Sequence, residues 1–191
     1  MTREYALNNG EKMHKDCEKV LFSEEQIRIR IKEIADEINM DYAGRQPLCI
    51  GILKGGALFC ADLFRNLTIS AELDFMSVSS YGEGTVSSGK LRINKDINST
   101  VKGRDVIIME DIIDSGFTLA NLKALLFERG AATVKIATLL NKRARRAYNI
   151  QPDYNCFEIA DEFVIGYGLD YAEKYRNLPY VGVLKREVYE K

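Results

Sequence analysis

Carboxylate and hydroxyl side chains are concentrated between positions 110 and 118, where the sequence reads E-D-I-I-D-S-G-F-T. Ser115, Gly116 and Thr118 stand where a helical pattern begins, and the first turn of a helix offers free N–H groups and a positive dipole end. The glycine allows the main chain to approach a ligand closely, and both hydroxyls can donate to phosphate oxygens. The spacing therefore predicts an anion-binding site.

The carboxylates of the same stretch have the opposite preference. Glu110 and Asp111 would repel a phosphate, so they should face a sugar diol or a metal ion. A ligand that carries both a phosphate and a diol is a phosphorylated sugar. Asp114 lies between the two ends of such a ligand, where it could act as a general acid or base. It could also simply cap the helix together with Ser115, although capping alone does not account for the acidic pair.

Two regular elements must position these groups. Residues 106–109, V-I-I-M, form a short apolar run rich in β-branched residues, which is typical of a strand buried on both faces. After the polar stretch, apolar residues recur at helical spacing at Leu119, Leu122, Leu125 and Leu126. The polar groups therefore lie at the carboxyl end of a strand, which is where open α/β sheets bind their ligands.

The stretch 110–118 resembles the phosphoribosyl pyrophosphate (PRPP) signature of type I phosphoribosyltransferases. Its form, E-D-I-I-D-[ST]-G-x-T, is most similar to the hypoxanthine-guanine phosphoribosyltransferases. The resemblance implies that Glu110 and Asp111 face the ribose hydroxyls and Mg²⁺, that Asp114 handles the proton at purine N7, and that Ile112 contacts the purine. The implied 5′-phosphate site consists of Asp114, Ser115, Gly116, Phe117 and Thr118. Several relatives have a lysine or a small residue in place of Phe117, so we expect this loop to bind phosphate through main-chain N–H groups and hydroxyls.

A second anion-binding pattern follows the apolar strand predicted over 47–53. A strand, two glycines and an apolar helix follow one another there, an arrangement that is either a tight turn or an anion-binding loop. The segment resembles the family's pyrophosphate loop, L-K-G-G, in which a non-proline cis peptide often precedes the lysine. The implied pyrophosphate ligands in this loop are Leu53, Lys54, Gly55 and Gly56.

The segment 79–89 is small, polar and rich in glycine, which favours a long loop of the kind that often forms a lid or the tip of a β-hairpin. Residues 84–90 spell G-x-x-x-x-G-K, but Leu91 stands where a nucleotide-binding P-loop needs serine or threonine. The resemblance identifies this segment as the catalytic flap, with Ser80 and Tyr81 as its usual Ser-Tyr pair.

The base-binding residues are implied by the resemblance alone. Lys142 follows the strand predicted over 133–140 and matches the lysine that donates to the purine 6-oxo group; without the resemblance it belongs to a solvated basic run. Phe163 matches the residue that stacks on the purine, and Val164 the residue whose main chain meets the purine edge. The remaining implied ligands are Asp170 for Mg²⁺ and, for pyrophosphate, Arg176 and Arg146.

Composition limits the other function classes. The chain has 191 residues, 46% of them hydrophobic, and a net charge of −1, which does not favour a broad nucleic-acid surface. Its four cysteines lack a C-x-x-C pair and it has one histidine, so a zinc site is not expected. With no apolar leader and no membrane-length run, we expect a cytoplasmic protein with no membrane or nucleic-acid partner.

We therefore predict an α/β fold with a twisted, mainly parallel sheet of about five strands and helices on both faces. Residues 1–191 are expected to form a single domain, with a hood lobe from about 1–22 and about 150–191, and the strand 180–184 is expected to close the sheet. A capping box at Ser23 and Gln26 predicts the start of the first helix.

The resemblance implies a purine-salvage enzyme that transfers the 5-phosphoribosyl group from PRPP to hypoxanthine or guanine, with Mg²⁺ as cofactor. The products would be IMP or GMP and pyrophosphate, and the enzyme is expected to be a homo-oligomer, either a dimer or a tetramer. The leading alternative is a regulator of pyrimidine operons that has the same fold and binds RNA. A phosphoryl-accepting receiver domain would not account for Ser115 and Thr118 after the acidic pair.

Overall fold

The computed structural model describes residues 13–80 and 91–190. The predicted flap, with Tyr81, therefore lies outside the described residues, and only the main chain of Ser80 is described, at the end of a strand. The first twelve residues of the predicted hood lobe also lie outside the described residues.

The described residues form nine strands and four helices. In chain order these are β1 Cys17–Phe22, α1 Glu24–Asp41, β2 Leu48–Leu53, α2 Ala57–Asn66, β3 Glu72–Ser80, β4 Leu91–Lys95, β5 Asp105–Ile113, α3 Phe117–Glu128, β6 Thr133–Lys142, β7 Tyr154–Ile159, β8 Val164–Ile165, β9 Val181–Leu184 and α4 Arg186–Tyr189.

The main sheet has the strand order β4-β3-β2-β5-β6-β7. The five strands from β3 to β7 in this order are parallel, and β4 adds an antiparallel edge. The predicted fold class, a mainly parallel sheet with helices on both faces, is confirmed. β5, whose carboxyl end carries the acidic pair, is paired on both sides, so the predicted site lies at the middle of the sheet.

The prediction that the strand 180–184 closes the main sheet is wrong. Instead, β9 lies between β1 and β8 in a separate antiparallel sheet of three strands. The segment is apolar enough for either sheet, and only the pairing partners, which are distant in sequence, decide between them. The second sheet combines strands from both ends of the chain, and it carries Val164 of the predicted base site in β8.

Alternation along the central strands creates two cores, one on each face of the main sheet. Ile107 and Met109 of β5 belong to the core beneath α1 and α2, while Val106 and Ile108 belong to the core beneath α3. All four side chains are fully buried. Successive strand residues point to opposite faces, so an uninterrupted apolar run is needed when both faces are covered.

The predicted capping box is present at the start of α1. The Ser23 side chain accepts a hydrogen bond from the Gln26 N–H at 3.3 Å, and the Gln26 side chain accepts one from the Ser23 N–H at 2.9 Å. Within the described ranges, no helix combines the length and the apolar character that crossing a membrane requires.

Candidate active site

The predicted phosphate loop connects the carboxyl end of β5 to the first turn of α3. Gly116 caps the helix with φ of +85°, a left-handed conformation that favours glycine, and it has no side chain that could accept from the first-turn N–H groups. The Phe117 N–H donates to Oγ of Ser115 at 3.3 Å, and the next N–H groups of this turn are the candidates for binding a ligand at the helix end. A cavity of about 260 Å³ lies here. The predicted site residues that line it are Leu53, Glu110, Asp111, Ile112, Asp114, Ser115, Gly116, Phe117 and Thr118.

The segment 146–150 supports this loop from behind. Arg146 donates from Nε to the carbonyl oxygen of Asp114 at 2.9 Å and from Nη2 to the side-chain oxygen of Asn141 at 2.6 Å. The carbonyl oxygen of Ser115 accepts from two main-chain N–H groups of the same segment. Arg146 thus contacts the phosphate loop in this structure, and its predicted contact with pyrophosphate stays a prediction.

The acidic pair at the end of β5 consists of the buried Glu110 and the half-buried Asp111. Glu110 has 9% of its surface exposed. Burial, followed by the neighbouring charge of Asp111, raises the pKa of Glu110 well above its ordinary value, and burial raises the pKa of Asp111 as well. Two carboxyl groups in such a place resist ionising together. A cation or a positively charged ligand would favour the doubly ionised pair.

Gly55 of the predicted pyrophosphate loop lies directly against this pair. A Cβ atom at position 55 would stand 1.7 Å from Oδ2 of Asp111, so a side chain there is incompatible with the observed carboxylate. The peptide bond between Leu53 and Lys54 in the same loop is cis. The glycine is therefore required for the contact between the loop and the carboxylate.

A turn from far along the chain completes this end of the site. Gly168 has φ of +97°, and a Cβ atom there would stand 2.1 Å from the carbonyl oxygen of Gly55. Arg176 donates to the Gly168 carbonyl oxygen at 2.7 Å and pairs with Asp170 at 2.8 Å. The predicted pyrophosphate and metal residues of three separate segments thus come together, with Lys54 linked to the turn through an ion pair of 3.0 Å with Glu173.

The donor set fits a magnesium ion that arrives with a phosphorylated substrate. Among the described residues, no group of three or more histidine, cysteine or acidic side chains is arranged to hold a metal ion by itself. Mg²⁺ is commonly held by one or two carboxylates, several waters and substrate phosphates. The candidates for the protein's share are Glu110, Asp111 and Asp170.

Lys142 connects the phosphate end of the site to the predicted base end. β6 extends two residues beyond its predicted end because Asn141 and Lys142 pair with β7, so Lys142 is the last strand residue. Its side chain is 8% exposed, and Nζ lies 3.6 Å from Oδ2 of Asp114. The other oxygen of that carboxylate, Oδ1, is buried and has no hydrogen-bond partner among the described residues.

A second cavity, of about 380 Å³, adjoins Lys142 on the side of the small sheet. Lys142 and Phe163 both line it. Phe163 has 38% of its surface exposed, and its ring stacks on Tyr189 with the centroids 4.9 Å apart, whereas Val164 is buried in β8. Ile112 lines the first cavity, so the predicted base residues lie on both sides of Lys142.

A family model for the phosphoribosyl transferase domain matches residues 19–172. The chain belongs to the phosphoribosyltransferase family. The match covers the phosphate loop, the pyrophosphate loop and the turn at Asp170, so the family resemblance predicted from the sequence is confirmed.

Relatives within the phosphoribosyltransferase family agree with the narrower resemblance. The chain is 53% identical over 178 residues to a hypoxanthine-guanine phosphoribosyltransferase of Bacillus subtilis, covering 93% of this chain and 99% of the relative. It is 52% identical over 183 residues, 96% of this chain, to the bifunctional protein TilS/HprT of Listeria monocytogenes, but spans only 28% of that protein's length. A crystal structure of a hypoxanthine phosphoribosyltransferase from Staphylococcus aureus superposes with a TM-score of 0.91 at 46% identity, covering 95% of this chain and 99% of the other.

Sequence reasoning missed two residues of this phosphoribosyltransferase site, Gly168 and Asp161. Gly168 contacts the pyrophosphate loop through a left-handed turn, and the neighbouring glycines of G-Y-G are the signal that could have found it. Asp161 lies 3.5 Å from Lys142. Asp161 lies just after the carboxyl end of β7, much as Glu110 and Asp111 lie near the carboxyl end of β5. The rule that open α/β sheets bind ligands at the carboxyl ends of their strands therefore applies to Asp161 as well.

Proposed function

We propose that the protein transfers the 5-phosphoribosyl group of PRPP to a 6-oxopurine, hypoxanthine or guanine, and releases pyrophosphate. The observation that carries the proposal is the buried, unpaired Oδ1 of Asp114, which lies between a helix-end anion site and a nearly buried lysine. An acceptor in this place suits the N–H of a ring bound beside the sugar phosphate. The similarity to a hypoxanthine-guanine phosphoribosyltransferase and to a hypoxanthine phosphoribosyltransferase supports the same reaction.

The phosphate end would hold the 5′-phosphate of PRPP. Main-chain donors at the first turn of α3 and the hydroxyls of Ser115 and Thr118 supply hydrogen bonds, and no lysine is required where Phe117 stands. The segment behind the loop binds the carbonyl groups of Asp114 and Ser115, which fixes the conformation of the loop. This end binds substrate without taking part in bond breaking.

Glu110 and Asp111 would face the ribose. Departure of pyrophosphate from ribose C1 leaves positive charge on the sugar, and the adjacent carboxylates of the buried Glu110 and the half-buried Asp111 stabilise such charge. Leu53, Lys54, Gly55, Gly56 and Arg176 would hold the leaving pyrophosphate. Mg²⁺, with Asp170 and the acidic pair as its protein ligands, would supply neutralising charge to that group when bound.

The base would lie between Ile112 and Phe163, with its 6-oxo group toward Lys142. Lysine has three donors and no acceptor, so it suits a 6-oxo group and leaves the 6-amino group of adenine without a partner. Sites that leave a buried polar group unpaired reject the wrong substrate by about 10⁴–10⁵-fold. Val164 would present main-chain groups to the far edge of the ring.

The domain organisation, the compartment and the oligomeric state of the protein are also proposals. We propose one domain with a hood lobe that covers the base, because the small sheet of β1, β8 and β9 carries Val164. The sequence predicted this lobe from about 1–22 and about 150–191, but residues 154–159 belong to the main sheet as β7. The four free, buried cysteines suit the cytoplasm, where PRPP is made. A homo-oligomer is carried over from the family resemblance alone. The RNA-binding alternative is not favoured, since the net charge is −1 and the relatives are named as enzymes.

The test is a spectrophotometric assay of hypoxanthine, guanine, xanthine and adenine with PRPP, with and without Mg²⁺. We expect turnover of hypoxanthine and guanine, none of adenine, and dependence on Mg²⁺. The Lys142→Ala variant should raise KM for hypoxanthine and narrow the gap to adenine while the KM for PRPP stays nearly constant. Equal use of adenine by the wild type would refute the base-site assignment, and no turnover of any purine would refute the reaction.

A further inference from the structure

We propose that Asp161 is a positioning residue that holds the ammonium group of Lys142 in place for the base while Asp114 exchanges a proton. This inference rests on the proposed function, because it assigns Lys142 to the 6-oxo group and Asp114 to the proton. It adds a residue that lies outside the PRPP-binding motifs and that contacts neither the phosphate loop nor the pyrophosphate loop in the described contacts.

The geometry around Lys142 is a bridge between two carboxylates. Nζ lies 3.5 Å from Oδ1 of Asp161 and 3.6 Å from Oδ2 of Asp114, and the lysine side chain is only 8% exposed. A charged group so far from water needs opposite charge beside it. Both distances exceed the usual length of an N–H···O hydrogen bond, so the three lysine donors are still able to reach a ligand oxygen.

The two carboxylates differ in what they can do during a reaction. Asp114 belongs to the reactive loop, and if it takes a proton from the base its negative charge disappears. Lys142 then has one counter-charge left within this bridge. A second carboxylate that stays ionised is needed to hold the ammonium group in place when Asp114 becomes neutral.

Asp161 has the surroundings of such a constant partner. The exposed Arg145 pairs with both oxygens of this carboxylate, with Nε 2.7 Å from Oδ1 and 2.9 Å from Oδ2. The hydrogen bond from Arg145, followed by the charges of Arg145 and Lys142, lowers the pKa of Asp161. Asp161 therefore stays ionised across the neutral range, whether or not Asp114 is protonated.

The matched variants are Asp161→Asn, which removes the charge at constant size, and Arg145→Ala, which removes the outer partner but leaves the contact with Lys142. We expect Asp161→Asn to raise KM for hypoxanthine about threefold to fivefold, the upper part of the range for losing one partly exposed charge contact. The KM for PRPP should change less than about twofold, and Arg145→Ala should change both values less than about threefold. Asp161→Glu should restore part of the loss.

A double-mutant cycle separates positioning of Lys142 from an independent role. In the Lys142→Ala background, Asp161→Asn should have almost no further effect, because the group it positions is gone. The proposal is overturned if the effects of Asp161→Asn and Lys142→Ala on the KM for hypoxanthine multiply. It is also overturned if Asp161→Asn alone leaves this KM unchanged while the wild type is active. An inactive wild type would instead overturn the proposed function.

A ligand-free measurement tests the contact without any turnover. In protein labelled with ¹³C-lysine, the Cε resonance assigned to Lys142 by its loss in Lys142→Ala should shift in Asp161→Asn and stay in place in Arg145→Ala. An unshifted resonance in Asp161→Asn would refute the positioning role even if the enzyme used no purine.

Discussion

Replacing Gly55 by alanine tests how closely the predicted pyrophosphate loop and the carboxylate of Asp111 depend on each other. An alanine Cβ would stand 1.7 Å from Oδ2 and 2.7 Å from Cγ of Asp111, whereas real Cβ contacts are essentially never shorter than 3.0 Å. The carboxylate would have to move by more than 1 Å, which is beyond what small adjustments of the loop can absorb. We therefore expect Asp111 to rotate away from its observed position.

The expected consequence is a lower kcat/KM rather than a loss of the fold. A displacement of about 1 Å at a reacting centre can lower the rate about 100-fold, equivalent to roughly 2.7 kcal/mol in the activation free energy. We expect kcat/KM of Gly55→Ala to fall by about this factor in the PRPP-dependent assay. The control is Gly103→Ala, where φ is +72° and nothing lies within 4 Å of the new Cβ. It should cost about 1–2 kcal/mol of stability through backbone strain and leave kcat/KM unchanged.

A double-mutant cycle with Asp111→Ala tests whether the clash with the carboxylate causes the loss of kcat/KM. If the clash with the carboxylate is responsible, Gly55→Ala should add little to the loss already caused by Asp111→Ala, because the atoms it displaces are absent. Fully multiplicative losses, or a Gly55→Ala enzyme with normal kcat/KM, would show that the contact between loop and carboxylate does not govern the reaction.

Three further predictions concern the phosphate loop and the acidic pair. Asp114→Asn should lower kcat by about 10²–10⁴-fold with an unchanged unfolding temperature, and a near-normal kcat would remove Asp114 from the chemistry. Burial raises the pKa of Glu110 above its unfolded value of 4.5, so the ligand-free protein should lose stability as pH rises from there through the folded pKa. Thermal unfolding in EDTA should show that Glu110→Gln flattens this decline and raises the unfolding temperature near neutral pH; an unchanged pH profile would contradict the burial argument. Arg146→Lys cannot reach both the Asp114 carbonyl and Asn141, so calorimetry should show about tenfold weaker PRPP binding, and equal affinity would count against loop support.

The parts of the site that sequence could predict are those built from neighbouring residues. The strand, acidic turn and helix around Gly116 are local, and each residue preference there agrees with its neighbours. The capping box at Ser23 and Gln26 is local in the same sense, and it is present. Such patterns depend on hydrogen bonds and spacing within one segment, which the order of residues determines directly.

The contacts that sequence could not predict join segments far apart in the chain. Gly168 meets Gly55, and Asp161 meets Lys142, only because the sheet brings separate strand ends to one edge. The placement of β9 failed for the same reason, since an apolar strand is compatible with either sheet until its partners are known. In the sequence, Arg146 is one of several neighbouring basic residues that are expected to be exposed. Only the fold shows that its guanidinium group donates to carbonyl oxygens.

The division of the site into two adjoining cavities bears on how base preference can evolve. The cavity at the phosphate end is lined by residues between positions 52 and 119, whereas all but one of the residues lining the other lie from Lys142 onward. Substitutions confined to the lining of the second cavity can therefore vary the base that we propose it holds. Asp170 and Arg176 lie in the same later part of the chain but outside that lining, so such substitutions leave them unchanged.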